Sequence, residues 1–257
     1  MLKGFTMLAI VIGLIVLLLL SLGLNYNLYQ RSFLPFQKSK LDPLDLLAYA
    51  DTSAELLADK KRKRVMFYGD SRAFAWPNVE GVSHARFINR GIGGQTSAQV
   101  LKRFPFHVAP YRPDIIVLQV CVNDLKLIPL FPKQREHIIR HCQQNLQQLV
   151  AEVTALKSTL ILTTVYPIGD IDIIRRAFGF REPPIIAAVD EVNAFIKTLA
   201  TDKVIIFDSY SLLKGKGRKI AAEYSRDWLH LNPQGYRHLN KSLRKVLQGL
   251  LENNGTQ

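Results

Sequence analysis

Asp114-Ile115-Ile116-Val117-Leu118-Gln119-Val120-Cys121-Val122-Asn123-Asp124 is the stretch that decides the fold. A short, almost unbroken apolar run rich in β-branched residues reads as a strand buried on both faces, and such strands belong to parallel sheets covered by helices. The same reading predicts strands over Val65 to Tyr68, Arg86 to Asn89, Thr159 to Val165 and Lys203 to Phe207. Between them, apolar periodicity predicts helices from the Gly94 turn through Leu101, over Gln134 to Leu156, over Ile185 to Ala200, and over Pro233 to Leu251. Strands alternating with helices give an α/β protein, a three-layer α/β/α sandwich around a doubly wound parallel sheet.

In such a sheet the ligand site lies beyond the C-terminal ends of the strands. Short blocks with chemical content stand at those ends, in this order: Gly69-Asp70-Ser71, Gly94, Asn123-Asp124 and Asp227-x-x-His230. A hydroxyl is a weak nucleophile until a base takes its proton. Ser71 is the candidate nucleophile and His230 the candidate base. Asp227, three residues earlier and on the same face of a helical turn, can hold the imidazole tautomer. Backbone N–H groups of Ser71 and Gly94 and the Asn123 amide are candidate oxyanion donors. Each block also has a plain reading: Gly91, Gly93 and Gly94 as a strand-to-helix turn, Asn123-Asp124 as a helix cap, Asp227 and His230 as a surface pair.

These blocks, over roughly Arg64 to Leu251, resemble the SGNH (GDSL-type) esterase and lipase family. The resemblance implies a flavodoxin-like α/β/α fold, ester hydrolysis through an acyl-enzyme, and no metal or organic cofactor. It assigns Ser71 as nucleophile, Gly94 and Asn123 to the oxyanion hole, and Asp227 and His230 to the acid and base. Two positions depart from the family pattern. Arg72 stands where leucine is usual, and Cys121 where glycine is usual two residues before the asparagine. Both are expected to bear on the substrate: Arg72 by pairing with an anionic group or a nearby acid, Cys121 by narrowing the acyl pocket. The Gly-x-Ser-x-Gly elbow of α/β-hydrolases is not present at Ser71, because residue 73 is alanine. His137 and His141 have zinc-protease spacing, but Ile138 stands where the glutamate belongs, so no metal is expected. The segment from Ile168 to Phe180 follows a strand and reads either as a substrate-facing loop or as a plain surface excursion.

At 257 residues and 48% apolar composition the chain builds one sizeable core. Gly4 to Gly23 carries no charge, and about 20 such residues cross a bilayer as a helix. A retained anchor is expected. The alternative is a cleaved signal peptide with Lys3 as its basic end and Ser21-x-Gly23 as its cleavage site, though the run exceeds the usual signal core. The expected division is an anchor over 1–25, a juxtamembrane stretch and helix (Leu41 to Asp59) over 26–63, and a hydrolase domain over 64–257. Flanking charges lean toward a cytoplasmic domain, yet single N-terminal anchors also tether exported ones, and the working expectation is extracytoplasmic. Cys121 and Cys142 are either free thiols or one bridge. The formal charge of +13 draws the domain toward anionic surfaces or polymers; Lys60 to Arg64, the densest cluster, reads either as a solvated linker before the first strand or as a membrane contact. No basic-aromatic pattern points to nucleic acid. The expected partners are a lipid or acylated-carbohydrate ester and the membrane. The rival readings are an O-acyltransferase using the same triad and an idle membrane-tethered binding module.

Overall fold

The computed structural model describes residues 2–49 and 61–252. They fall into two compact units, 1–47 and 48–257. The first is helical: α1 (Leu2–Leu28) runs through a π-helical turn at Tyr29–Phe33 into α2 (Leu34–Leu41). Its apolar side chains are exposed on all sides, and among the described residues this is the one helix long and apolar enough to cross a membrane. The stretch after the anchor is thus helical to Leu41. The helix expected from Leu41 to Asp59 is not continuous with it. Asp42 turns the chain and accepts the N–H groups of Leu46 (2.8 Å) and Leu47 (3.0 Å), starting a 3-10 turn at Leu46–Tyr49. The remainder of that expected helix, and Lys60 of the basic cluster, lie outside the described residues.

The second unit is a five-stranded parallel sheet of order β2-β1-β3-β4-β5, formed by β1 (Lys63–Gly69), β2 (Ala85–Gly91), β3 (Ile115–Gln119), β4 (Thr159–Thr163) and β5 (Val204–Phe207). Each predicted strand is present, with ends shifted by a few residues. Alternate side chains serve opposite faces. Met66, Tyr68, Ile116 and Leu118 pack on α4 (Ser97–His107), α6 (Arg135–Ala155) and α8 (Glu182–Thr198). Val65, Phe67, Ile115 and Val117 pack instead on Trp76 and on α10 (Pro233–Glu252), through Tyr236, Leu239, Leu243 and Leu247. Short helices α3 (Ser71–Phe74), α5 (Val122–Leu125), α7 (Ile173–Ala177) and α9 (Ser209–Leu213) sit in the connections that follow strands β1, β3, β4 and β5.

Strand order reverses between β1 and β3, so their C-terminal ends flank the crevice where doubly wound sheets bind ligands. The turn out of β1 depends on Gly69, with φ of +141°. A Cβ there would lie 1.7 Å from the Gln119 carbonyl oxygen of β3. Gly69→Ala is therefore expected to destabilise the fold by about 4 kcal/mol or more, a size reserved for severe steric or backbone conflict. Urea denaturation followed by circular dichroism checks it; a loss within 1 kcal/mol would contradict the close approach.

Candidate active site

Ser71 opens α3 directly after β1. Asp70 caps that helix, its carboxylate accepting the Arg72 N–H at 2.9 Å. Across the crevice, residues 226–230 form a tight loop rather than the helical turn expected from the i, i+3 spacing. Asp227 Oδ1 accepts the N–H groups of Leu229 (2.8 Å) and His230 (2.9 Å), folding its own loop around the carboxylate. The carboxylate oxygens also stand 3.0 and 2.9 Å from His230 Nδ1. His230 Nε2 lies 2.9 Å from Ser71 Oγ. Three side chains separated by as many as 159 positions thus form one hydrogen-bonded line from carboxylate to hydroxyl.

Electrostatics follow from this arrangement. Burial works against ionisation of Asp227, yet the Leu229 and His230 donors outweigh it and hold the carboxyl below its usual range. For His230, burial comes first and lowers the pKa below the ordinary 6.5; Asp227 opposes this, while Arg72 and Arg226 add to it. A neutral imidazole bonded at Nδ1 to a carboxylate has Nε2 available to accept the serine proton.

Beside Ser71 lies the glycine turn of residues 93–95, and Asn123 is bonded to that turn at the Gln95 carbonyl. A Cβ on Gly93 would come within 4.0 Å of Ser71 Cβ, so the turn passes close to the hydroxyl. Gly94 itself has φ of +79°, the left-handed region glycine adopts freely. No acceptor among the described residues takes the N–H of Ser71 or of Gly94. Asn123, buried on α5, donates from Nδ2 to the Gln95 carbonyl at 2.9 Å and accepts at Oδ1 from Lys126 Nζ at 2.6 Å. An ammonium can only donate and a carbonyl can only accept, so these partners fix which way the amide faces. One Nδ2 hydrogen is left for a further acceptor. Asp124 locks this helix to the start of α4, accepting the Ser97 N–H (2.9 Å) and hydroxyl (2.6 Å).

The two family departures do something other than line a substrate pocket. Arg72 is completely buried. Its guanidinium donates to the carbonyls of Leu229 (2.9 Å), Tyr166 (3.2 Å) and Pro167 (3.3 Å), and its charge lies 5.0 Å from the Tyr166 ring centre. The expectation of a substrate contact at Arg72 is corrected: the side chain is spent on the loop that carries His230 and on the chain leaving β4. Its neighbour Asp70 is also fully buried and is pushed up to about 7 by that burial, against the pull of Arg72. Cys121 is likewise buried, and its sulfur is bridged to Cys142 on α6 rather than facing a pocket. Its φ of +87° lies in the positive-φ region that favours glycine. The Ile168 to Phe180 segment packs against the His230 loop: Gly169 N–H donates to Trp228 O at 2.7 Å, and Arg175 lies 5.7 Å over the Trp228 ring.

Sequence reasoning missed Lys126 and Arg103. Lys126 stands three residues after Asn123 on one helical turn, a spacing that offered a signal. Arg103 is completely buried under the Gly94 turn, donating to Gly69 O (2.7 Å), Arg90 O (2.9 Å) and Gln95 Oε1 (2.5 Å). An arginine inside an amphipathic helix pattern gives no such signal.

A model of the GDSL-like lipase/acylhydrolase family matches residues 66–238. No curated protein matches the chain. Among solved structures, a candidate acylhydrolase from Bacteroides fragilis is 26% identical, with 82% of this chain and 99% of that one covered at a TM-score of 0.64. A GDSL-like lipase from Bacteroides thetaiotaomicron is 23% identical, with coverages of 80% and 98% and a TM-score of 0.64. An acetyl-xylooligosaccharide esterase from Geobacillus is 21% identical, covering 74% and 96% at a TM-score of 0.56, a likeness of fold.

Three charged groups bear on His230: Asp227, Arg72 and Arg226. Because the base works neutral and its pKa is lowered, kcat/KM is expected to hold as pH falls through 6.5 and to decline only at lower pH. Arg226→Gln removes one lowering cation from an exposed position, so the acidic limb moves toward higher pH. Arg72→Met moves it the same way and also leaves three buried carbonyls unpaired, at about 1–3 kcal/mol each. Rate–pH profiles and urea melts of the three proteins check this; an acidic limb at or above 6.5 in the wild type would contradict it.

Proposed function

We propose that this chain, which belongs to the GDSL-like lipase/acylhydrolase family and is an ester-hydrolysing enzyme, works as a membrane-anchored serine esterase on a lipid or an O-acyl carbohydrate. The observation that carries the mechanism is the 2.9 Å approach of His230 Nε2 to Ser71 Oγ, with Asp227 on the far nitrogen. His230 takes the hydroxyl proton as Ser71 Oγ bonds to the ester carbonyl carbon. The carbonyl oxygen becomes an oxyanion held by Ser71 N–H, Gly94 N–H and the spare Asn123 Nδ2 hydrogen. Collapse breaks the bond to the alcohol oxygen, which leaves with the proton from His230. Water, deprotonated by the same imidazole, then releases the acid and restores the serine. Oriented donors of this kind contribute about 2.7–4 kcal/mol each to stabilising the transition state.

Residues 1–25 act as the anchor, 26–63 as the juxtamembrane connection and 64–257 as the hydrolase domain. The N-terminal helix supports tethering, since its exposed apolar surface is suited to a bilayer. The Cys121–Cys142 bridge supports an extracytoplasmic domain, because disulfides persist in oxidising compartments and are rare in the cytosol.

The test uses a fluorophosphonate probe and p-nitrophenyl esters from acetyl to palmitoyl. Wild type is expected to label and turn over, and Ser71→Ala to lose both, with kcat down at least about 1,000-fold as for other triad nucleophiles. A folded wild type that neither labels nor turns over would leave a tethered binding module as the better account. Acyl transfer to an added sugar exceeding hydrolysis would make it an acyltransferase.

A further inference from the structure

A groove of about 690 Å³ runs along α10. Its walls are the two chain segments that leave the reacting groups. Ala75, whose N–H bonds to Ser71 O at 3.0 Å, begins one wall, and Leu231, next to His230, begins the other. Among the described residues four cations line it, Arg226, Arg237, Lys241 and Arg244, against one carboxylate, Glu80. Arg226 stands closest to the chemistry, 3.4 Å from Asp227 Oδ2.

The other three lie on α10 at i, i+4 and i+7, one stripe of like charge. Like charges at helical spacing repel by a few tenths of a kcal/mol per pair, and this helix carries no acid before Glu252 to relieve them. Among the described residues, no carboxylate comes within ion-pair distance of Arg237, Lys241 or Arg244. Arg244 Nε is moreover buried with no acceptor, a donor in want of a partner. The groove wall is firmly built: Asn240 accepts from Trp76 Nε1 at 2.7 Å and donates to the Asn78 carbonyl at 3.2 Å. A fixed trough with three cations lacking ion-pair partners among the described residues, walled by the segments that leave Ser71 and His230, is a site for negative charge.

Spacing distinguishes a polymer from a single headgroup. Arg244 follows Arg237 by seven helical positions, which at a rise of about 1.5 Å per residue spreads three charges over roughly 10 Å. One phosphate cannot meet all of them; a chain with an anion on successive units can. We propose that this groove seats the anionic chain of an acidic glycan whose acyl ester is presented to Ser71. This rests on the esterase reading above and adds the class of alcohol: a sugar hydroxyl on a polymer bearing carboxylate or phosphate groups.

The full chain, in a neutral detergent, gives two separable readouts. The first is turnover of p-nitrophenyl acetate, which tests the esterase reading alone. The second is anisotropy of fluorescent polygalacturonate, together with kcat/KM on acetylated polygalacturonate relative to acetylated xylan. Wild type is expected to bind the polyanion and to favour the acidic polymer at least tenfold at low salt, both effects fading as salt rises. Arg237→Gln/Lys241→Gln/Arg244→Gln is expected to cut that preference at least tenfold. Lys102→Gln/Lys133→Gln/Lys203→Gln, which removes the same charge elsewhere, keeps it. Thermal melts verify that both variants fold. Turnover of the small ester with no polyanion binding, or a preference untouched by the groove variant, overturns the inference while the esterase stands. Binding without any ester turnover overturns the esterase instead. Equal competition by a short-chain phosphatidylglycerol at matched charge would make the groove a lipid-headgroup site and overturn the polymer.

Discussion

Buried backbone carbonyls at the C-terminal edge of the sheet are the constraint around which the site is built. Loops that leave a parallel sheet lose the ladder that paired their carbonyls, and an unpaired buried carbonyl costs about 1–3 kcal/mol. Here two completely buried arginines supply the donors. Arg103 serves Gly69 and Arg90, at the ends of β1 and β2, and the Gln95 side chain in the glycine turn. Arg72 serves Tyr166 and Pro167 beyond β4, and Leu229 in the base loop. A guanidinium suits this task because its donors fan out in one plane and its charge is spread thinly enough to lie near aromatic rings, Tyr68 for Arg103 and Tyr166 for Arg72. Burying a localised charge with so little acidic compensation would be far more costly.

That framework explains why the two departures from the family pattern belong together. A leucine after the nucleophile fills space but leaves the Leu229, Tyr166 and Pro167 carbonyls to find other donors. Arginine at position 72 instead ties the nucleophile's own helix to the loop carrying the base, so the two halves of the triad share a side chain. Cys121 makes a comparable exchange. Left-handed backbone costs a non-glycine residue about 1–2 kcal/mol, and the bridge to Cys142 holds the chain there by a covalent link to α6. The Asn123 amide follows two residues later, so its support is covalent on one side and, on the other, a charge-assisted hydrogen bond donated by Lys126.

The strands and the order of the chemical blocks were legible because they depend on local pattern: apolar runs mark strands, and glycine marks the turns that follow. Their convergence was legible too, since parallel strands bring all their C-terminal ends to one edge. What pattern could not convey was partnership across distance. Arg72 reads as a partner for an anionic substrate group or a nearby acid until Leu229, 157 positions away, is seen to accept its N–H. Asp227 and His230 satisfy a helical spacing, yet the carboxylate draws two backbone N–H groups to itself and folds a tight loop instead. Cys121 and Cys142 were two thiols or one bridge on sequence grounds, and only the packing of α6 against α5, which follows Cys121, brings their Cα atoms to 6.0 Å. Interactions set by tertiary neighbours have no period to read.

Positive charge has two consequences at this site that pull against each other, and Asp227 reconciles them. Burial disfavours imidazolium first, and Arg72 and Arg226 add to it, which keeps His230 neutral and ready to accept the serine proton. Yet the proton must then reside on His230 while the tetrahedral intermediate lasts, when those same cations oppose it. The carboxylate on Nδ1 supplies part of the compensation, held ionised by its own N–H donors. An anionic glycan in the groove supplies more, because negative charge brought near Arg226 offsets a field that otherwise reaches the imidazole. The cations then favour the neutral base in the free enzyme and cease to oppose its protonation once substrate is seated. Binding the anion and moving the proton become successive uses of one electrostatic arrangement.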